Sequence, residues 1–259
     1  MINGPVWNED ILKQESAFPT VLAVGDSWFW YLKNNLANPL HRILNKRESN
    51  IMLVRGSNGA EAVEYKAGPI RQQIEWDLDK KKGYGKNIRA VFLSGGGNDL
   101  AGPEDFVQVL LSDCSGAKHP EQCLQSNQPN ILFNTVTSAL LSVVELVEKL
   151  IPGTPVFVHS YDYANPNGKG FLGLGQWLQY PMNRCKVPKK LHQPLIDYLI
   201  DAYWNALNEA QKKAPTLNLV DQRGTLAREE WANELHPTSS GFNKIAKLWE
   251  PILHDKGVA

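Results

Sequence analysis

Apolar residues along this chain fall into two kinds of run that take turns. The first kind is short and uninterrupted, at 21–24, 51–54, 88–93 (with Ala90, Val91, Phe92 and Leu93 at its centre), 156–158 and 217–220. Brief apolar runs bounded by turn residues predict strands buried on both faces. The second kind is amphipathic. Between 28 and 46, Leu32, Leu36, Leu40, Ile43 and Leu44 return at helical spacing, and Pro39 predicts a kink or break there. Residues 60–79 read as a helix in two pieces divided near Gly68-Pro69, and 106–111 as one short helix. The strongest helical pattern is 131–151, where Leu132, Val136, Leu140, Val143, Val147 and Leu150 share a face. Pro194 opens a helix carrying Leu195, Leu199, Ala202, Ala206 and Ala210, and 241–253 is the last, with Phe242, Ile245, Trp249 and Ile252 inward.

Strands separated by helices imply crossovers, hence a parallel sheet with helices on both faces and an α/β class. Such sheets carry their chemistry at the carboxyl ends of the strands. Ser27, Gly59, Asn98 and His159 each follow a predicted strand and should gather on one edge. No polar linker and no internal repeat interrupts the pattern, so residues 1–259 are expected to form one domain, with loop insertions near 102–130 and 161–190. A long loop in a compact domain is often a lid or a binding loop, and Tyr161, Tyr163, Phe171, Trp177 and Tyr180 make the second one a candidate substrate wall.

Charge narrows the function. Lys plus Arg is 27 and Asp plus Glu is 27, a balance that argues against a nucleic-acid partner. The densest basic cluster, Lys80-Lys81-Lys82, reads as a solvated helix end. No transmembrane segment is expected, and the absence of a basic, apolar leader makes the cytoplasm the simplest location, with export by a signal-less route or a trimmed leader as the alternative. Cys114, Cys123 and Cys185 are expected as free thiols, although Cys114 and Cys123 flank a polar loop that a disulfide could close. No Cys/His cluster has zinc-like spacing.

The chemistry-bearing residues come in order. Val21 to Ser27 reads V-L-A-V-G-D-S: a buried strand ends in a tight turn that projects a hydroxyl. Ser27 there is a nucleophile or, more plainly, a helix N-cap. Gly95-Gly96-Gly97-Asn98-Asp99 follows the third strand. Its run of glycines favours close backbone approach over a simple Asx turn. His236-Pro237 sits on a loop before the last helix, well placed to reach another loop as a base. Among six histidines, His159 is the competitor and reads as a buried structural residue. The N–H groups of Ser27 and Gly59 and the Asn98 amide could converge on one oxyanion. The aromatic run Trp28-Phe29-Trp30-Tyr31 reads first as packing and second as a substrate-facing wall.

These segments together resemble the SGNH hydrolase superfamily, also called the GDSL esterase and lipase family. Gly25-Asp26-Ser27, Gly59 within Ser-Asn-Gly-Ala, Gly96-Gly97-Asn98-Asp99 and His236-Pro237 stand in the family's order from 25 to 237. The resemblance implies a flavodoxin-like three-layer α/β/α sandwich around a parallel sheet of about five strands. It implies Ser27 as nucleophile, His236 as base, and Ser27, Gly59 and Asn98 as oxyanion donors, with no metal or organic cofactor. The expected partner is a small-molecule ester, either a lipid acyl ester or an acetylated carbohydrate. A binding module that keeps the fold without turnover, and an acyltransferase using the same residues, are the alternatives.

Two positions depart from the family pattern. Trp28 stands where an aliphatic residue usually follows the serine. Asn233 stands three residues before the histidine, where the family places its catalytic acid. An asparagine that turned its NH2 to the ring would put the proton on the wrong nitrogen and cost roughly four orders of magnitude in rate. Three rescues are open: the Asn233 carbonyl oxygen faces the ring, a backbone carbonyl does so, or Glu234 or another carboxylate substitutes. A Ser27–His236 dyad oriented by a carbonyl at or near Asn233 is the expectation.

Overall fold

The computed structural model describes residues 2–31, 34–46, 48–170 and 176–259. All five expected strands form: β1 (Val21–Gly25), β2 (Met52–Gly56), β3 (Ala90–Leu93), β4 (Val156–His159) and β5 (Leu217–Val220). They make one parallel sheet in the order β2-β1-β3-β4-β5, the doubly wound order. Val21 pairs with Met52 on one side and Ala90 on the other, Val91 with Val156, and Val156 with Leu217. Nearly every strand residue is buried, which is why these segments read as continuous apolar runs rather than alternating ones.

The described helices are α1 (Glu9–Gln14), α2 (Ser27–Trp30), α3 (Ala37–Leu44), α4 (Pro69–Leu78), α5 (Gly97–Leu100), α6 (Pro103–Val109), α7 (Gln128–Leu150), α8 (Gln179–Arg184), α9 (His192–Gln211) and α10 (Ser239–Asp255). Helices α3 and α10 pack together on one face of the sheet, and α4, α7 and α9 on the other. The result is the expected three-layer α/β/α arrangement. Trp249 of α10 lies against Phe92 and Phe157, while Val136 and Leu140 of α7 reach the turn after β3 from the opposite side.

Some expectations need correction. The helix expected over 28–46 is two helices, and the break falls before α3 rather than at Pro39. Pro39 sits in the first turn of α3, where a helix has no use for its missing N–H. Leu32, assigned to that helix's inner face, lies outside the described residues. Helix α7 is 23 residues long and, by length and composition alone, apolar enough to cross a membrane, contrary to the expectation that no segment is. Half of its apolar window is buried, against α9 and the 3-10 turn Ala62–Tyr65 among others. Cys114, Cys123 and Cys185 are buried free thiols.

Candidate active site

In a doubly wound sheet the chain leaves its first strand in one direction for β2 and later crosses back to β3. The carboxyl ends of β1 and β3 therefore splay apart and leave a crevice between neighbouring strands. Ser27 follows β1 and Asn98 follows β3, so the order of the strands brings both to that crevice.

Ser27 is the first residue of α2. Asp26 caps this helix by accepting the Trp28 N–H at 3.0 Å. The turn before it is tight: a Cβ on Gly25 would lie 2.5 Å from Phe29 Cδ2 and 2.9 Å from Ser94 Cβ. The Asp26 carboxylate is buried and also accepts from Ser94 Oγ at 2.8 Å and from the Tyr161 hydroxyl. Burial raises its pKa, with those hydrogen bonds working against the rise. Asp26 thus ties the first turn to β3 and β4 rather than facing the cleft.

Gly59 reaches the cleft on the loop after β2. Its φ of +83° is costly for any residue with a Cβ. A clasp holds this loop to the turn after β3. Asn98 Nδ2 donates to the Ala60 carbonyl at 3.0 Å, and the Asp99 carboxyl accepts the Ala62 N–H at 2.9 Å. Burial pushes the Asp99 carboxyl up to about 6. Asn98 keeps a second amide hydrogen for the cleft.

His236 comes from the loop before α10. That loop is closed by backbone bonds from Ala232 N–H to the His236 carbonyl at 2.9 Å and from Thr238 N–H to the Glu230 carbonyl at 2.7 Å. His236 Nε2 is 2.7 Å from Ser27 Oγ, and Nδ1 is 3.0 Å from Asn233 Oδ1. The orientation of the Asn233 amide follows from its other contacts. Oδ1 also accepts the backbone N–H groups of Leu235 at 3.0 Å and His236 at 2.8 Å, while Nδ2 donates to Tyr31 Oη at 3.1 Å. A flipped amide would point NH2 at two N–H donors. With only an oxygen to meet, Nδ1 carries the ring proton, which leaves Nε2 with a lone pair toward the Ser27 hydroxyl. The Asn233 side chain therefore occupies the position expected of it. Glu234 does not: its buried carboxylate accepts the N–H groups of Gly168, Trp177, Leu178 and Gln179 at 2.6 to 3.2 Å and serves the second long loop.

Burial lowers the His236 pKa to about 4, so the imidazole is neutral at ordinary pH. The Tyr31 ring stacks on it at 4.0 Å between centroids and 7° between planes. Trp177 meets the imidazole edge-on at 6.0 Å. Sequence reasoning gave Tyr31, with its aromatic neighbours, to packing first and to a substrate-facing wall second, and missed its place over the imidazole; it also lines the cleft. Trp28 does pack, stacked 5.1 Å from His159, and its indole donates to the Leu235 carbonyl at 3.1 Å on the histidine loop. The signal for Tyr31 was its place four residues after Ser27, one helical turn along, but that spacing serves packing equally well.

Ser27, Tyr31, Gly59, Asn98, Trp177 and His236 line one open cleft of about 300 Å³. His159, the competing histidine, is buried behind Trp28; its Nδ1 accepts the Tyr161 N–H at 3.2 Å, and burial holds its pKa near 3. Of the loop aromatics, Trp177 borders the cleft and Tyr161 a neighbouring cavity. Tyr163 bonds to Asp201 at 2.8 Å, and Tyr180 is exposed. Phe171 lies outside the described residues. Among the described residues no group of three or more His, Cys, Asp or Glu is arranged to hold a metal ion.

Comparison with solved structures settles the architecture. A lipase from a goat rumen metagenome superposes with a TM-score of 0.55 at 14% identity over 93% of this chain and 98% of its own. A structure solved as a GDSL-like lipase, from Parabacteroides merdae, gives 0.53 at 12% identity over 93% and 98%. The chain has the SGNH, or GDSL, hydrolase fold. A carbohydrate esterase of family 3 from Talaromyces cellulolyticus shares it, at 0.53 and 12% identity over 92% and 97%. At the level of sequence, no family model and no curated protein matches. The likeness therefore lies in the backbone.

Proposed function

We propose that this protein is a serine hydrolase of carboxylic esters, residues 1–259 forming one SGNH-type domain. The observation that carries the reading is the Ser27–His236–Asn233 chain of contacts, in which an acceptor-only oxygen fixes the ring tautomer beside Gly59 and Asn98. Ser27 Oγ attacks the ester carbonyl carbon while His236 Nε2 takes its proton. The N–H groups of Ser27 and Gly59 and the Asn98 amide receive the charge on the carbonyl oxygen. The bond to the alcohol oxygen then breaks as His236 returns the proton to it. Water attacks the acyl-enzyme, its proton passing through His236 to Ser27 as the acid leaves.

A fluorophosphonate probe tests this directly. Labelling of the wild-type protein and none of Ser27→Ala, with p-nitrophenyl ester turnover lost in parallel, is the expected result. Absence of labelling and turnover in the folded wild type overturns the reading. It would favour a binding module, a reading supported by one specific feature, the uncharged Asn233 in place of an acid. Transfer to an acceptor other than water uses the same residues and would appear as a new ester when alcohols are added.

A further inference from the structure

Ser27 borders a second space besides the open cleft: a narrow cavity of about 60 Å³ between α5, α7, α9 and the histidine loop. Leu100, Phe133, Ile196, Ile200, Tyr203 and Trp231 supply its apolar walls. Besides Ser27 and Asn98, polar side chains border it whose polar atoms are engaged elsewhere. Asp26 accepts from Trp28 N–H, Ser94 and Tyr161, and Asp162 accepts the N–H groups of Tyr163, Gly224 and Leu226 at 2.6 to 2.7 Å. The Tyr203 hydroxyl donates to the Gly95 carbonyl at 2.6 Å. The cavity thus offers apolar surface and few free hydrogen-bonding groups, whereas a sugar buried there would lose its water without replacement. The cleft on the other side of Ser27 is wide and open.

We propose that this cavity receives the acyl chain of the ester and that the chain is a short, unbranched hydrocarbon, with the alcohol leaving through the cleft. The proposal rests on the ester-hydrolase reading. Its size follows from comparison: 60 Å³ is roughly two-fifths of the ~150 Å³ apolar cavity that admits a benzene ring, so it holds about two or three carbons beyond the carbonyl. Butyryl esters fit; decanoyl esters do not. Phe133 and Ile200 set the limit, the first by closing the space from α7 and the second from α9.

The test has two arms. In the first, kcat/KM is measured for p-nitrophenyl acetate, butyrate, hexanoate and decanoate. Each methylene buried in the cavity raises it about fourfold, so butyrate exceeds acetate by roughly fifteenfold, and decanoate falls below butyrate. Ile200→Phe fills the space and brings the butyrate-to-acetate ratio near one; Phe133→Ala enlarges it and moves the optimum to a longer chain. If Phe133→Ala fails to fold, Ile200→Phe still decides. In the second arm, Ser27→Ala is titrated with methyl acetate, methyl butyrate and methyl decanoate, read by the fluorescence of Trp28 and Trp231. Preferential binding of methyl butyrate, lost in Ser27→Ala/Ile200→Phe, supports the cavity even if the wild type turns nothing over, in which case only the hydrolase reading falls. A butyrate-to-acetate ratio of one, a preference for decanoate, a ratio indifferent to Ile200→Phe, or no binding of methyl butyrate overturns the proposal.

Discussion

Replacing Asn233 with aspartate puts a charge where the structure has a neutral acceptor, with almost no change of shape. Each contact has a counterpart. A carboxylate accepts the Leu235 and His236 N–H groups and the His236 Nδ1–H as the amide oxygen does. The Tyr31 hydroxyl, which now receives the Nδ2–H, can turn its own hydrogen toward the new oxygen. The difference is the attraction between carboxylate and imidazolium. At about 4 Å and an effective dielectric constant near 20, that is about 4 kcal/mol, equivalent to about 3 pKa units. Desolvating the carboxylate at this buried site offsets part of it, leaving about 1–2 units. The sign runs one way in two experiments. His236 is the base only when neutral, and burial holds its pKa near 4. The wild-type acid limb of kcat/KM therefore bends near pH 4, and in Asn233→Asp it bends about 1–2 units higher. The same free energy stabilises the imidazolium formed in the transition state, so the variant turns esters over about 10- to 100-fold faster at pH 8. Its advantage shrinks as pH falls through 6 toward 5. A pH–rate profile with a p-nitrophenyl ester checks both. An acid limb that stays in place, or a variant slower than wild type at pH 8 with its fold intact, would refute the argument that Asn233 orients His236 through an uncharged oxygen.

Other perturbations separate the remaining parts of the site. Asn98→Ala removes an oxyanion donor and half of the clasp to the Gly59 loop, and should lower kcat by roughly 10²–10³ with a smaller change in KM, read by steady-state kinetics. Glu234→Ala strands four backbone N–H groups of the second long loop and should cost about 3–5 kcal/mol, or roughly 8–15 °C in thermal melting, whereas Glu234→Gln costs less because one amide oxygen still accepts. His159 should make stability depend on pH. Its folded pKa near 3 lies below the unfolded value, so the unfolded chain gains a proton that the folded one refuses, and stability is lost as pH falls below about 6.5. By pH 4 that amounts to about 3 kcal/mol, so His159→Phe, which stays uncharged, should lose correspondingly less than wild type between pH 6.5 and 4 in denaturant titrations.

Much of the architecture was legible from local rules. Buried parallel strands bury both faces, so 21–24, 51–54 and 90–93 stood out as apolar runs, and the turn chemistry after them marked Ser27, Gly59 and Asn98 as residues of one sheet edge. Helix boundaries were less legible. The break before α3 is not written in the spacing of its apolar residues, because Trp28 and Phe29 before it and Leu36 and Leu40 after it all serve the core. Nor does periodicity distinguish a core helix from a membrane span, since α7 satisfies both patterns and only its packing against neighbours tells them apart.

The site divides in the same way. Which residues meet at the crevice, and in what order, was readable because serine, glycine, asparagine and histidine have few uses at strand ends in that combination. How they act together was not. Whether Asn233 shows oxygen or NH2 to the ring depends on how its loop turns the Leu235 and His236 N–H groups back onto it, and on the hydroxyl of Tyr31, 202 residues earlier, just past the end of α2. Whether Glu234 is an acid or a loop anchor depends on where four N–H groups of another segment lie. Tyr31 over the imidazole, and the apolar space beside Ser27, exist only where β1, β3, α7 and α9 converge. Sequence determined the inventory of reactive groups, because residue type and local backbone conformation are properties of neighbours in the chain. Tertiary structure decided orientation, protonation and the shape of the space for substrate, because hydrogen bonds and burial are made by residues that the chain holds far apart.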